Sequence, residues 1–197
     1  MDETKERIKK RKRIGDIMNH IEYEVRVLEI NVEKIKNKLN ELNATLVEDV
    51  FQRRYLYDFN PVNPDKWIRL RTNGSTTTLT IKDVTSSKID GTHEMEIEVS
   101  DFDTTNEILK ELGYTPRGVQ ENKRIKYDLN GVEVDIDKWP RIPEYLEIEG
   151  KSEEEVYNTL ELLGISKDKA ISLNTQSIYK EYYNIDLTNE PILSFEE

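Results

Sequence analysis

Cysteine is absent from the 197 residues, which excludes disulfides and every thiolate metal site. Histidine occurs twice, at His20 and His93, too few for an imidazole metal centre or a catalytic triad. A metal bound here must then be a hard ion held by carboxylate oxygens: Mg²⁺, Mn²⁺ or Ca²⁺. No apolar run approaches the roughly 20 residues that cross a bilayer, and no stretch has the apolar core of a signal peptide. A glycine-rich phosphate loop, a nucleophile elbow and a kinase signature are all missing, so the familiar nucleotide-binding folds are not expected. Positive charge is in deficit: 29 Lys and Arg against 40 Asp and Glu leave a formal charge of -11. That balance argues against a nucleic-acid partner. The expectation is a cytoplasmic protein without a membrane partner.

The length suits one domain with a sizeable core and tails. Residues 1–19 stand apart, because Lys5, Arg7, Lys9, Lys10, Arg11, Lys12 and Arg13 form a basic run with little apolar content. It reads as a solvated extension. Residues 20–185 read as the domain and 186–197 as a polar tail. Within the domain, strands are predicted over Ile21 to Ile30, Leu46 to Asp58, Lys66 to Thr72, Thr76 to Val84, Thr92 to Ser100, Gly118 to Leu129, Val132 to Lys138 and Tyr145 to Glu149. Asn73-Gly74 and Asn130-Gly131 signal type I′ hairpin turns. Three amphipathic helices follow three of the strands. Asn31 caps the first, Asp103 the second, and Ser152 with Glu155 opens the third. A short helix near Ser177 to Tyr183 closes the series.

What the chain has in abundance is charge at strand spacing. Side chains alternate faces along a strand, so Glu22, Glu24 and Arg26 share one face while Tyr23, Val25 and Val27 share the other. The pattern recurs in Glu94-Met95-Glu96-Ile97-Glu98, in Glu133-Val134-Asp135-Ile136-Asp137 and in Glu147-Ile148-Glu149. Cations alternate in the same way through Trp67-Ile68-Arg69-Leu70-Arg71 and Thr80-Ile81-Lys82. One such strand, taken alone, is an ordinary solvent-facing surface. Six of them, with helices available to cover the apolar faces, indicate an α+β fold: a closed eight-stranded antiparallel barrel with a charged interior and helices outside.

Arg53, Arg54, Arg69, Arg71, Lys82, Lys123 and Arg124 are the cations that could grip a polyanion, arginine by its planar fork and lysine as a compact charge. The carboxylates cannot bind phosphate directly, but they can hold Mg²⁺ or Mn²⁺, which then takes phosphate oxygens. Two separated carboxylate pairs leave room for two ions. The implied chemistry is phosphoryl or nucleotidyl transfer.

At these residues the chain resembles the CYTH superfamily, the triphosphate tunnel metalloenzymes, which include class IV adenylyl cyclases and thiamine triphosphatases. The hallmark E-x-E-x-K strand is matched by Glu22-Tyr23-Glu24-Val25-Arg26, and the closing E-x-E by Glu147-Ile148-Glu149. The resemblance spans about Ile21 to Tyr183. It implies an eight-stranded tunnel in which Arg69, Arg71, Lys82 and Arg124 bind the substrate's phosphates, and Arg53, from the cations above, is expected to join them. It implies Glu96, Asp137, Glu147 and Glu149 as metal ligands, with Glu22 and Glu24 serving the catalytic metal or water and Arg26 beside them in the catalytic set. Arg26 stands where the family has lysine; arginine anchors phosphate but is a poor proton shuttle. Pro140-Arg141-Ile142-Pro143 replaces a loop that commonly contains glycine. The expected function is metal-dependent hydrolysis of a triphosphate, whether inorganic tripolyphosphate, a nucleoside triphosphate or thiamine triphosphate, with Mg²⁺ or Mn²⁺ as cofactor. The alternatives are a class IV-type adenylyl cyclase and a non-catalytic triphosphate- or polyphosphate-binding protein. A homodimer is allowed.

Overall fold

The computed structural model describes residues 20–86 and 88–195; the basic run at residues 5–13 lies outside them. Eight strands carry the fold: β1 (His20–Val27), β2 (Thr45–Asn63), β3 (Lys66–Thr72), β4 (Thr77–Val84), β5 (Thr92–Val99), β6 (Gly118–Leu129), β7 (Val132–Lys138) and β8 (Tyr145–Gly150). Their order is β2-β3-β4-β5-β1-β8-β7-β6, and β6 pairs back onto β2, closing an antiparallel barrel. Among the described residues the α-helices are α1 (Val32–Glu41), α2 (Phe102–Glu111), α3 (Glu153–Leu162) and α4 (Thr175–Tyr183). The barrel and its outer helices agree with the sequence reading.

Local chemistry explains most boundaries. Asn31 accepts a hydrogen bond from Lys34 N at 2.9 Å and starts α1, while Ser152 accepts from Glu155 N at 3.2 Å and starts α3. Such caps contribute about 1 kcal/mol each. The cap of α2 is Asp101, accepting from Thr104 N at 2.7 Å, and not Asp103, which lies inside the first turn. Asp101 is two residues nearer the strand, at the point where the backbone is still extended. Asn130-Gly131 forms the expected two-residue hairpin, with φ of 57° and 87°. Asn73-Gly74 does not. Thr72 pairs with Thr77, leaving a four-residue loop in which the Asn73 side chain accepts from the backbone of Ser75 and Thr76. The asparagine is used there as a side-chain acceptor rather than for a left-handed backbone.

Two apolar clusters lie outside the barrel wall, and a third lies at one end of the lumen, where Tyr145 pairs with Asp137. Val25, Val134, Leu146 and Ile148 pack against Ile35 and Leu39 of α1 and Val156 and Leu160 of α3. Tyr57, Ile68 and Leu70 pack against Phe102 and Leu109 of α2. Trp139, Ile142 and Tyr145 pack against Ile178 and Tyr179 of α4. The segment after residue 185, expected as a polar tail, supplies a ninth short strand, β9 (Ile192–Leu193), parallel to β6 at Val119 and Gln120. It takes the edge that β7 leaves open, since β7 reaches only to Lys123 of β6. With the apolar faces covered by helices, the charged faces are turned into the lumen.

Candidate active site

Antiparallel register decides which charges meet. Directly opposed residues point to the same side of a sheet, and β1 lies between β5 and β8. Glu24 therefore stands beside Glu149, and Arg26 beside Glu147, while Glu22 stands beside Thr92. Glu22, Glu24 and Glu149 each place a carboxylate oxygen within 4.8 Å of the others. Glu22 Oε2 is buried and accepts no hydrogen bond; Lys82 Nζ stands 3.9 Å from it. Burial, with Glu149 and Glu24 beside it, pushes the Glu22 carboxyl up to about 8. Burial and the charges of Glu133, Glu147 and Glu24 push Glu149 up to about 7. Three carboxylates this close resist full ionisation unless a cation joins them. Their hard oxygen donors and the unpaired buried oxygen fit Mg²⁺ or Mn²⁺.

The expected metal set is not what the lumen brings together. Of Glu96, Asp137, Glu147 and Glu149, only Glu149 joins the cluster. Inward-facing neighbours on one strand are two residues apart, roughly 7 Å, so Glu147 falls in the next layer. There Arg26 Nη2 reaches Glu147 at 2.6 Å and Glu24 at 3.1 Å. Burial lowers the Arg26 pKa, but the charges of Glu147 and Glu24 more than offset this and hold it above its ordinary value. Asp137 is claimed by Arg124, which donates from Nε at 2.8 Å and Nη2 at 2.6 Å. Arg124 also contacts Asp135 at 2.5 Å and Glu147 at 2.9 Å. Glu96 sits across the lumen, accepting from Thr80 Oγ1 at 2.6 Å and Arg69 Nη2 at 3.2 Å.

Among the expected phosphate-binding residues, Arg69, Arg71, Lys82 and Arg124 face the lumen. Arg69 Nη2 lies 3.2 Å from both Glu94 and Glu96, and Arg71 lies 3.6 Å from Glu96. Lys82 is in contact with Glu94. Arg69, then burial, lowers the Arg71 pKa to about 10.

Arg53 is the correction. Its guanidinium lies outside the barrel, 4.8 Å over the Phe102 ring and half exposed. Arg54 is the inward one: it pairs in register with Arg71 and Gln120. Consecutive strand residues point to opposite faces, so only one of the two can reach the lumen. The signal was in the sequence: Arg54 shares parity with Gln52, and Arg53 with the apolar Tyr55 and Tyr57. Lys123 likewise lies outside, 5.3 Å over the Phe195 ring. Arg53→Ala is expected to leave turnover within about 2-fold and to cost about 0.5–1 kcal/mol of stability, the worth of an exposed cation–π contact. Parallel activity and melting measurements check this.

The lumen opens at one end into a cavity of about 820 Å³, counting the space at its mouth, lined by Trp67, Trp139, Leu56, Arg54, Asn174 and Gln176 among others. Asn174 was not singled out from the sequence; it caps α4 by accepting from Ser177 N at 2.9 Å.

The CYTH domain model matches residues 20–175. Among curated proteins no sequence matches significantly. Solved structures do. A Pyrococcus horikoshii protein is 25% identical with a TM-score of 0.67, over 78% of this chain and 96% of its own. A Vibrio parahaemolyticus protein provisionally assigned as an adenylate cyclase is 14% identical with a TM-score of 0.69, over 85% of this chain and 100% of its own. A Hippeastrum protein put forward as an adenylyl cyclase, with a dominant triphosphatase activity, is 15% identical with a TM-score of 0.54, over 82% of this chain and 95% of its own. With a family model over most of its length and the same barrel in these structures, the chain belongs to the CYTH domain family.

Proposed function

We propose that this protein is a divalent-metal-dependent hydrolase that binds a triphosphate in the barrel lumen. CYTH superfamily members include triphosphatases and class IV adenylyl cyclases, depend on metal and take triphosphate substrates. One observation carries the reading for this chain: Arg54, Arg69, Arg71 and Lys82 face the same lumen as the Glu22, Glu24 and Glu149 carboxylates. An acid cluster alone repels phosphate, and a cation cluster alone has no means of activating water. Together they suit a polyanion bridged to a metal ion.

When bound at Glu22, Glu24 and Glu149, Mg²⁺ or Mn²⁺ supplies charge neutralisation at the phosphate and lowers the pKa of a coordinated water. The chain's own groups do the positioning. Arg69 and Arg71 offer forked donors to phosphate oxygens. Lys82, between Glu22 and Glu94, ties the carboxylate cluster to the cationic wall. Arg26 stays charged and orients Glu24 and Glu147, so a proton leaves by another group or by water. Preorganised charge of this kind is usually the largest single contribution to such catalysis.

The cyclase alternative is favoured by one feature, the Trp67 indole at the cavity, which gives a planar base something to stack on. Product analysis separates the two readings. Incubation with tripolyphosphate, and separately with ATP, each with Mg²⁺ and with Mn²⁺, is expected to release orthophosphate. Cyclic AMP with pyrophosphate would make it a cyclase. Binding without turnover would leave the non-catalytic reading.

A further inference from the structure

Arg54 is a lumen cation without an acid. Among the described residues, Arg26, Arg69, Arg71, Lys82 and Arg124 each form at least one ion pair, and Lys126 at the far end pairs with Glu133. Arg54 forms none. It is 7% exposed. Its Nη2 donates to Gln52 Oε1 at 3.0 Å and to Asn122 Oδ1, both neutral acceptors, and its Nε is buried with no partner. One face of the guanidinium stacks 4.7 Å from the Trp139 ring.

Burial comes first, and the neighbouring Arg71, Arg69 and Arg124 add to it, in disfavouring the charged form of Arg54; Asp137 is the one acid that favours it. Asp137 is itself occupied by Arg124 and by Asn122 Nδ2 at 3.1 Å. A buried cation with neutral partners on one edge and other cations around it is costly in an empty lumen. The two amide acceptors and the Trp139 face hold the guanidinium in one orientation without satisfying it electrostatically. Arg54 also lines the open cavity, together with Arg69 and Lys82.

We propose that Arg54 is a further substrate-binding residue, an anion subsite that takes a phosphate group of the substrate on the Trp139 side of the lumen. This rests on the triphosphate reading above. Arg54, Arg69 and Arg71 then form one cationic wall, Arg54 opposite Arg71 across the β2–β3 pair. A purely structural arginine would be fully served by Gln52, Asn122 and Trp139; the bare Nε and the missing counter-charge are what an oxyanion supplies. The side chain that competes with neighbouring acids least is the one most available to the ligand.

The test uses the full chain and inorganic tripolyphosphate, with binding read by calorimetry in metal-free buffer, so that no turnover intervenes. Arg54→Met keeps the length and removes the charge; it is expected to bind about 10- to 100-fold more weakly, the worth of charge-assisted hydrogen bonds. Arg54→Lys should fall between. Ligand-free Arg54→Met should melt no lower than wild type, because a strained charge has gone, whereas loss of a structural arginine would lower the melting temperature. A second readout needs no change at Arg54: in a Trp67→Phe background, Trp139 is the one remaining tryptophan of the two, and its emission should shift on adding tripolyphosphate. Wild-type affinity in Arg54→Met, or an unmoved Trp139 signal in a chain that binds, would overturn the subsite and leave the triphosphate reading standing. Absence of binding of both tripolyphosphate and ATP by wild type, in metal-free buffer and with Mg²⁺ alike, would overturn both.

Discussion

Glu22→Gln combined with Glu149→Gln is expected to lower metal-dependent turnover on the order of 10³-fold or more, without loss of fold. Each amide keeps the shape of the carboxyl but removes the charge that holds a divalent ion, and removing one preorganised charge from such a site typically costs 10²- to 10³-fold. The stability arm separates this from simple damage. Glu22 Oε2 has no hydrogen bond to lose, and burial already pushes both carboxyls above the ordinary carboxylate range. Neutralising them relieves repulsion with Glu24, so the melting temperature should hold or rise. Phosphate release with Mg²⁺ and with Mn²⁺, beside a thermal melt, gives both numbers. Undiminished turnover in the double variant would sink the assignment of the metal cluster.

Arg124→Met is expected to do the reverse, with stability as its first casualty. Arg124 holds Asp135, Asp137 and Glu147 together, at 2.5 to 2.9 Å, where all three are buried. Burial works against its charge, but Asp137, Asp135 and Glu147 hold its pKa well above the ordinary value. Removing one member of a buried ion-pair set leaves uncompensated charge and costs about 3–5 kcal/mol. For a chain of this size that corresponds to a fall in melting temperature of roughly 6–20 °C. Adding Asp135→Asn and Asp137→Asn should recover part of the loss, since the acids then need no counter-ion, and the cycle measures the coupling. An unshifted melt with abolished triphosphate binding would instead place Arg124 with the substrate before the fold. Arg54 and Arg124 thus make a contrasting pair. One lacks an acid and is available to a ligand; the other is held by three.

Much of the barrel was legible from residues alone, and particular positions show why. The alternation Glu22, Glu24, Arg26 against Tyr23, Val25, Val27 is a local property of an extended chain. Its meaning became unambiguous because the same alternation recurs through β3, β4, β5, β7 and β8. The caps Asn31 and Ser152 and the Asn130-Gly131 turn were legible for the same reason, since each acts within three or four residues of itself. Asn73-Gly74 misled because one dipeptide serves two loop geometries, and the choice lies with where Thr72 and Thr77 pair. Arg53 and Arg54 are adjacent, so composition ranks them equally; strand parity alone separates them.

That Glu149 joins Glu22 and Glu24 in one cluster, apart from Asp137 and Glu147, could not be read in this way. Glu149 meets Glu24 because β1 pairs with β8, more than 100 residues along the chain, and in the register that sets Arg26 against Glu147. A slip of two residues would keep every side chain on its face and put Glu147 beside Glu24 instead, so facing is local and layer is not. Alternation along each strand determined that the charges would be inside. Which acid is paired with a cation, which acids are left to a metal ion, and which arginine is left to the ligand were decided by the closure of the barrel. That closure brings β5, β1 and β8 together at one register and leaves Arg54 opposite cations and amides.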